Sequence, residues 1–380
     1  MKKLAILVND IREWSGADRW VVELVKRINF DFDITIYSYI TKNELYLADT
    51  EIKKLLPTEV KLKYYKVFIM PYSLDRLPIT KTGLKMLFEL RRYDIIYIIE
   101  ESLTSMSFIL LALKLSKAKI IFGLHDPYIT GNRLTGNRLK KNITKLYNKI
   151  FKKVLFRMPE IHVLNKDDYN LLQRLGYSGS LNLIPNFLYT KKKEIKNLNK
   201  SQFIALFVGR LAIQHKGLDL LEEIIKKVLK ENNKIVFHIV GSGEGVKIIK
   251  RIIKQYPKNV IYKGFLSENE LEREYGNATV FVLTSIRETF SLVTLEAQSH
   301  GLPVVSFNIS GPNEIITNFS GKLIEPFNTD KFAEEILKYY NMWKENKINL
   351  MYKNKIVDYV YSKYSDKTII PKLERMLSNN

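Results

Sequence analysis

Short apolar runs alternate with amphipathic stretches along most of the chain. The apolar runs are rich in β-branched residues and nearly continuous, which is typical of parallel strands buried on both faces of a sheet. They are residues 4–8, 33–39, 94–99, 119–124, 160–164, 203–209, 234–241, 260–265, 279–285 and 303–307. Segments of helical periodicity, such as residues 17–28, lie between them. This alternation predicts an α/β protein with doubly wound parallel sheets.

One stretch, residues 183–202, interrupts the alternation. It is rich in Lys and Asn and contains a Pro-Asn turn, which is typical of an interdomain linker. We therefore predict a first domain over residues 1–187, a linker over 188–202 and a second domain over 203–357. Two Rossmann-like domains facing a central cleft would present the carboxyl ends of their strands to it, where such sheets bind ligands.

The composition supports globular cores and excludes cysteine chemistry. Hydrophobic residues make up 46% of the chain, and it contains no cysteine. Disulfides and thiolate nucleophiles are therefore excluded, and a reducing cytoplasm suits the chain. The longest apolar run, residues 108–115, is too short to span a bilayer, and residues 1–14 predict a first strand rather than a signal peptide. We expect a cytoplasmic protein, either soluble or peripheral to the membrane.

The formal net charge of +21 favours anionic partners such as phosphates, anionic lipid or nucleic acid. One segment, residues 138–157, is basic without a single acid and has apolar positions at helical spacing. Two interpretations of this segment stay open. It is either a solvated face of a helix packed on its own domain or a helix that lies on an anionic membrane surface. The lysines that would make the membrane contact include Lys140, Lys141, Lys152 and Lys153.

The beginning of the second domain predicts an anion site. Gly209 and Arg210 follow a strand, and Lys216 stands where a helix begins. A guanidinium, an ammonium and helix amides would converge on one phosphate group. The alternative is a pair of ordinary surface cations.

Three other loops are weaker candidates for binding. The turn with Gly241 and Gly243 does not match the dinucleotide fingerprint, so it either lets the backbone approach a ligand or is only a turn. Gly16 follows the first strand and would allow a phosphate or sugar to approach helix amides, unless it is a plain connection. His125 and Asp126 follow the fourth predicted strand, at the edge that faces the predicted cleft.

Two glutamates stand in the apolar segment 287–307. Glu288 is predicted to lie just before a helix that begins near residues 290–292, and Glu296 about two turns inside it. Eight residues rise roughly 12 Å along a helix, which does not favour a hydrolytic acid pair. Two carboxylates that accept hydroxyl groups, on either side of a helix N-terminus, suit a nucleotide sugar. The alternative is a capping Glu288 and a solvated Glu296.

The motifs "GR…HKGLDLL", "GSGEG" and "ETFSLVTLEAQSHGLPVV" resemble those of the retaining nucleotide-sugar glycosyltransferases of family 4, of the bacterial envelope polysaccharide type. The resemblance is dense over residues 203–325 and looser over 1–187. It implies the GT-B fold and a last helix, within 358–380, that returns to the first domain. A break near Pro371 is predicted in that tail.

The resemblance also implies the roles of individual residues. Arg210 and Lys216 would bind the donor diphosphate, and Glu288 would bind hydroxyls of the donor sugar. Glu296 would bind the ribose, and His125 would lie near the sugar. The remaining donor-binding positions implied are Gly16, Gly209, Gly241, Gly243, Thr289, Phe290, Ser291 and Leu292.

Catalysis would then involve Glu288, His125, Lys216 and Arg210, without a metal ion or another cofactor. Two positions depart from the family pattern, because Thr289 and Ser291 stand where the family usually has glycine. The usual Gly-Gly of the N-terminal loop is Ser15-Gly16 in this chain.

We therefore expect transfer of a hexose or N-acetylhexosamine from a UDP- or GDP-linked donor to a cell-envelope glycan or a lipid-linked acceptor, with retention. A non-hydrolysing nucleotide-sugar 2-epimerase is the first alternative. A basic nucleic-acid-binding protein is a remote alternative, because no recognised nucleic-acid motif accompanies the charge. We expect no nucleic-acid partner.

Overall fold

The computed structural model describes residues 1–14, 16–28, 32–40, 47–69, 76–99, 103–113, 116–125, 153–192, 194–195 and 201–378. They form two compact units, Met1–Asn186 together with Ile369–Asn380, and Phe187–Thr368. Most of the predicted basic helix 138–157 lies outside the described residues, and so do Lys140, Lys141, Lys152 and Asp126. Lys153 lies within them and is exposed.

The first unit contains a parallel sheet of seven strands in the order β3-β2-β1-β6-β7-β8-β9. Its strands are β1 (Lys2–Val8), β2 (Phe32–Ile40), β3 (Lys61–Lys66), β6 (Ile95–Ile99), β7 (Lys119–Leu124), β8 (Glu160–Val163) and β9 (Ser180–Leu183); β4 (Phe68–Ile69) and β5 (Arg76–Leu77) form a separate antiparallel pair. Its helices are α1 (Gly16–Val25), α2 (Asp49–Leu55), α3 (Lys81–Leu90), α4 (Leu103–Ala112), α5 (Lys166–Arg174) and the last helix of the chain, α14 (Asp366–Ser378).

The second unit contains a parallel sheet of six strands in the order β12-β11-β10-β13-β14-β15. Its strands are β10 (Ile204–Val208), β11 (Val236–Val240), β12 (Val260–Gly264), β13 (Val280–Leu283), β14 (Val304–Phe307) and β15 (Gly321–Ile324). Its helices are α6 (Ile213–Lys216), α7 (Leu218–Glu231), α8 (Val246–Gln255), α9 (Glu268–Asn277), α10 (Leu292–Ser299), α11 (Pro312–Ile315), α12 (Thr329–Lys344) and α13 (Leu350–Tyr364).

The predicted α/β class with doubly wound parallel sheets is confirmed, and all ten predicted strands are present. The apolar pattern did not predict β3, β9 and β15, which lie at the edges of the two sheets. Exposed and partly exposed positions prevail in β3 and β9, and β15 is buried only at its two ends. An edge strand is covered on fewer sides, so it needs no continuous apolar run.

Two details of the predicted chain course differ in the structure. Leu188, the first residue of the predicted linker, and Phe187, the last of the predicted first domain, are both buried and belong to the second unit. The tail breaks at Ser365, between α13 and α14, rather than near Pro371, which lies inside α14. Proline is tolerated there because it removes only one early hydrogen bond of the helix. Consequently, the return to the first unit occurs at Ile369.

Both units enclose their own apolar cores. In the first, the central strands β1 and β6 are almost entirely buried. In the second, α7 packs its apolar face, including Leu221 and Ile225, against the sheet and α12. Among the described residues, no helix is both long and apolar enough to cross a bilayer.

Candidate functional site

The predicted anion site of the second unit lies where the order of its strands reverses. β10 pairs with β11 on one side and with β13 on the other. The chain therefore leaves β10 towards one edge of the sheet and leaves β13 towards the other edge. Gly209 and Arg210 follow β10, and Glu288 lies in the loop after β13. Such a switch point at the carboxyl ends of parallel strands is the usual ligand position in doubly wound sheets.

Lys216 and Glu288 form an ion pair at this position. Lys216 Nζ donates to Glu288 Oε1 at 2.5 Å, and the hydroxyl of Ser285 donates to the same oxygen at 2.7 Å. Both charged side chains are largely buried. Glu288 Oε2 has no hydrogen-bonding partner within the described part of the chain, so it remains able to accept hydroxyl groups of a ligand. The structure thus brings together two residues that were predicted to bind adjacent parts of one ligand, the diphosphate and the sugar.

The position of Lys216 is fixed by a tight junction between α6 and α7. Gly217 separates the two helices in a left-handed conformation (φ 57°), and a Cβ atom there would lie 2.3 Å from the carbonyl oxygen of Thr284. The hydroxyl of Thr284 donates to the carbonyl oxygen of Lys216 at 2.8 Å. Only glycine allows this approach without strain, and the approach aligns the end of β13 with the lysine.

Arg210 is the remaining cation of the site. Its side chain is exposed, and its guanidinium has no hydrogen-bonding or ion-pair partner among the residues that the structure describes. Arg210 follows Gly209, where a Cβ atom would lie 3.6 Å from Lys216 Cε, so the two cations leave the backbone at neighbouring points. A guanidinium provides a planar fork for a phosphate or a carboxylate.

The glycine-rich turn supports the loop that carries Arg210. A Cβ atom on Gly241 would lie 1.9 Å from the carbonyl oxygen of Gly209, and one on Gly243 would lie 2.9 Å from that of Leu211. Leu211 N–H also donates to the carbonyl oxygen of Ser242 at 2.7 Å. The two glycines therefore allow two backbone segments to pack together, and direct contact with a ligand stays a prediction.

The loop from Glu288 to Leu292 leads into α10. Phe290 is buried with its ring 5.7 Å from that of Tyr364, and a Cβ atom on Gly311 would meet its backbone at 2.9 Å. Thr289 is buried as well. Ser291 has φ 79° and does not cap α10 with its side chain, because its hydroxyl is hydrogen-bonded to that of Thr294 at 2.8 Å. The first amides of α10 thus lack a cap from Ser291, which favours an anion at this helix end.

Glu296 lies inside α10, as predicted, with a buried carboxylate that tyrosines approach from two elements. Tyr189 donates to Oε1 at 2.5 Å, and Tyr275 donates to Oε2 at 2.9 Å. Both carboxylate oxygens therefore accept hydroxyl groups of the protein, and the ribose contact stays a prediction. Sequence reasoning missed both tyrosines, because they are far from Glu296 in the sequence.

In the first unit, Gly16 is the first residue of α1. The preceding turn is held by Asp10, which is fully buried and accepts from Arg12 Nε at 2.8 Å and Nη2 at 2.7 Å. This bidentate pair holds the end of β1 to the short 3-10 helix Ile11–Glu13. The sequence analysis did not identify the pair.

His125 follows β7 and is nearly buried beside two other polar residues. The Tyr97 hydroxyl lies 3.4 Å from His125 Nε2 and 2.6 Å from His162 Nδ1. Burial, with a smaller contribution from His162, lowers the pKa of His125 well below its ordinary value. Burial also lowers the pKa of His162 to about 4. Both imidazoles are therefore neutral at pH 7. Tyr97 and His162 were missed, although a polar residue inside a buried strand was the available signal.

Glu288, Lys216 and Arg210 thus surround one switch point of the second unit, and His125 and Gly16 belong to the first. Within the described ranges, no three His, Asp or Glu side chains lie close enough together to hold a metal ion.

Comparison with known proteins identifies the class of the second unit. Residues 189–355 match the family model described as glycosyl transferases group 1. This match covers most of the second unit and less than half of the chain.

Individual relatives and a solved structure agree with the family. The chain is 26% identical to an uncharacterized glycosyltransferase of Haemophilus influenzae, over 88% of its own length and 89% of the relative's. It is 34% identical to the UDP-Gal:alpha-D-GlcNAc-diphosphoundecaprenol alpha-1,3-galactosyltransferase of Escherichia coli over 43% of its own length. The match covers only 42% of the length of that enzyme. The match to another relative covers a similar share of its length, 40%. The crystal structure of TarM superposes with a TM-score of 0.79, at 16% identity, over 100% of this chain and 99% of that one. The fold is GT-B.

Proposed function

We propose that the chain is a retaining glycosyltransferase that uses a nucleotide diphosphate sugar. The observation that carries this proposal is the Lys216–Glu288 pair at the switch point of a group 1 domain, with Arg210 exposed beside it. The two cations would bind the diphosphate, and the open Oε2 of Glu288 would accept sugar hydroxyls. The donor would carry a hexose or an N-acetylhexosamine on UDP or GDP.

The transfer would proceed on one face of the sugar. The bond from the anomeric carbon to the diphosphate oxygen breaks as the acceptor oxygen bonds to that carbon, and the leaving phosphate takes the acceptor's proton. Arg210, Lys216 and the first amides of α10 would stabilise the charge that develops on the diphosphate. No metal ion is required in this scheme.

The proposed acceptor is a cell-envelope glycan or a lipid-linked saccharide. Support comes from the E. coli relative, whose name specifies a diphosphoundecaprenol-linked acceptor. An enzyme with such an acceptor works at a membrane surface, and we propose that this chain is peripheral to an anionic one.

A face of the first unit suits that partner. Leu84 and Phe88 on α3 are 53% and 61% exposed, and Leu111 on α4 is 69% exposed. Arg91 joins the two helices, because its Nε donates to the carbonyl oxygen of Ala112 at 2.8 Å. Exposed apolar residues of this size mark an interaction surface.

The charges around this face are mainly basic. Lys85, Arg91, Arg92 and Lys117 are exposed at its border. The acid of α3, Glu89, is partly buried, and its carboxylate accepts from Lys63 and Tyr37 at 2.7 Å. Cations around exposed apolar residues complement anionic lipid headgroups.

Vesicle sedimentation tests the membrane contact. Arg91 and Arg92 replaced together by Gln should weaken binding to phosphatidylglycerol-containing vesicles roughly 30-fold, at about 1 kcal/mol per charge. Phe88→Ser should weaken it further, whereas Met351→Ser, at an exposed position of the second unit, should not. Equal binding by all variants, or equal binding to pure phosphatidylcholine vesicles, would contradict the proposed surface. If the protein did not bind the vesicles and another protein covered this face instead, the face would be a protein-docking surface.

Turnover of nucleotide sugars tests the enzyme class. Purified protein should transfer or slowly hydrolyse one member of a panel of UDP- and GDP-sugars, with the α or β configuration of the donor kept in the product. Lys216→Met and Glu288→Gln should each lower kcat/KM about 100-fold or more, because each removes a group that contacts the reacting donor. Lys230→Met, an exposed charge at the end of α7, serves as the control. Unchanged turnover in both site variants would exclude the assignment.

The same assay separates the alternatives. A 2-epimerase changes its nucleotide sugar without any acceptor and releases no sugar from the nucleotide. A nucleic-acid-binding protein would shift a duplex in a salt-dependent way and would not bind the donor panel.

A further inference from the structure

A polar cluster lies inside the first unit, on three adjacent strands of its sheet. Tyr97 lies on β6, His162 lies on β8, and His125 follows β7 between them. Tyr97 and His162 are fully buried, and His125 is 9% exposed. A Cβ atom on Gly123 would lie 3.0 Å from the Tyr97 ring and 3.1 Å from His125 Cδ2. The absence of a side chain at Gly123 therefore allows the tyrosine and the histidine to approach each other.

The hydrogen bonds of His162 fix the direction of the first proton. His162 Nε2 lies 2.7 Å from the carbonyl oxygen of Ile184, which can only accept. Nε2 therefore carries the proton and donates. Because this buried imidazole is neutral, its Nδ1 has no proton and must accept. The group 2.6 Å from Nδ1 is the Tyr97 hydroxyl, which donates to it.

The direction of the second proton follows from the first. A tyrosine hydroxyl has one proton, and that of Tyr97 is engaged with His162. Towards His125 Nε2, at 3.4 Å, the Tyr97 oxygen can only accept. His125 Nε2 must then carry the proton of a neutral ring, and Nδ1 keeps its lone pair. Trp20, with its ring centroid 4.7 Å from that of His125, restricts rotation of the imidazole.

We propose that Tyr97 and His162 are positioning residues that hold His125 with its proton on Nε2, so that Nδ1 accepts a hydrogen bond from a hydroxyl of the donor sugar. This inference rests on the proposed function and on the family resemblance of the sequence, which implies that His125 would lie near the donor sugar. His125 then acts as a hydrogen-bond acceptor and never as a cation. A polar core that merely satisfies its own hydrogen bonds would fix the same tautomer, but its loss would leave turnover unchanged.

Nitrogen-15 NMR of the histidine rings tests the tautomer directly. At pH 7 the wild-type protein should show His125 and His162 as neutral rings protonated on Nε2. Tyr97→Phe should convert His125 to a mixture of tautomers, because its acceptor is gone. Tyr39→Phe removes another buried tyrosine hydroxyl, which donates to Asn9 Oδ1 at 2.6 Å, and should leave His125 unchanged. A His125 ring that is protonated on Nδ1 or charged in the wild type, or one that Tyr97→Phe leaves unaltered, would overturn the proposal.

Kinetics of the same variants test the consequence for the donor. Tyr97→Phe should lower kcat/KM about threefold to tenfold, the range expected for one misdirected hydrogen bond. His162→Gln retains one donor for Ile184 and one acceptor for Tyr97, and should keep both the His125 tautomer and the turnover. His162→Leu should lose both.

The outcomes separate this inference from the function on which it rests. A tautomer mixture in Tyr97→Phe with wild-type turnover would show that the donor does not use His125 Nδ1 and would overturn the proposal. If the wild type turned over no nucleotide sugar at all, the proposed function would fail, and the proposal would fall with it whatever tautomer NMR showed.

Discussion

Ser291 is one of four non-glycine residues in the described part of the chain that have a positive φ. Its φ of 79° lies in the left-handed region, where a Cβ atom costs roughly 1–2 kcal/mol. Glycine, which relatives of this family usually have at the position, would avoid that cost. The hydrogen bond to Thr294 at 2.8 Å offsets part of it.

A pair of substitutions isolates this backbone strain. Ser291→Gly and Ser291→Ala both remove the hydroxyl and differ only in the Cβ atom. The glycine variant should be more stable by about 1 kcal/mol, the reverse of the usual order in helices. Urea unfolding followed by fluorescence would measure the difference. An alanine variant as stable as the glycine variant would show that the position carries no strain.

His162 predicts a pH dependence of stability. Its pKa is about 4 in the folded chain, against 6.5 when unfolded, so the unfolded chain binds the extra proton between these values. The contribution of His162 to the free energy of unfolding should therefore be constant above about pH 6.5 and fall by about 3 kcal/mol as the pH approaches 4. His162→Gln should flatten this part of the curve, measured as urea midpoints across the range. An unchanged slope would mean that other groups dominate.

At the scale of elements, apolar runs predicted the interior strands, because burial on both faces demands them. The edge strands β3, β9 and β15 lack such runs and were missed. The alternation of strands and helices made it possible to predict that Arg210, Lys216 and Glu288 lie in segments that directly follow strands. The sequence did not predict the contacts of Tyr189, Tyr275, Tyr97 and His162. Sequence spacing alone does not show which distant residues a sheet brings together.

The junction between α6 and α7 predicts contrasting effects of two glycine substitutions. Gly217→Ala should lower the free energy of unfolding by about 2 kcal/mol or more, because its Cβ would lie 2.3 Å from a backbone oxygen at a left-handed φ. Gly276→Ala, inside α9 with no atom near the new Cβ, should be neutral or raise it by up to about 1 kcal/mol. Donor binding, measured by thermal shift, should fall only for Gly217→Ala. Equal stability of the two variants would contradict the tight junction.

At the scale of the whole molecule, the first unit depends on residues from both ends of the described chain. Ile369, Leu373 and Leu377 of α14 are buried in it. Lys2 Nζ donates to the carbonyl oxygen of Ser378 at 3.0 Å, and Lys119 Nζ donates to that of Met376 at 2.7 Å. The second unit, in contrast, is one continuous segment of chain.

Removal of α14 should therefore affect the two units differently. A chain that stops after Ser365 loses the five buried apolar side chains of α14, worth roughly 8–15 kcal/mol. Limited proteolysis should then cleave the first unit rapidly, while the second remains resistant. Donor-induced protection of the second unit should persist. Equal resistance of both units would show that the first does not need this helix.

This arrangement makes the second unit an insertion in the first, which has a consequence for synthesis on the ribosome. The sheet of the first unit emerges early, but its final helix emerges last. The second unit can complete its fold before its predecessor does. The apolar surface of the first unit that α14 covers therefore stays exposed while nearly two hundred further residues are translated. A chaperone that binds nascent apolar surface would find its target in the part of the chain that was made first.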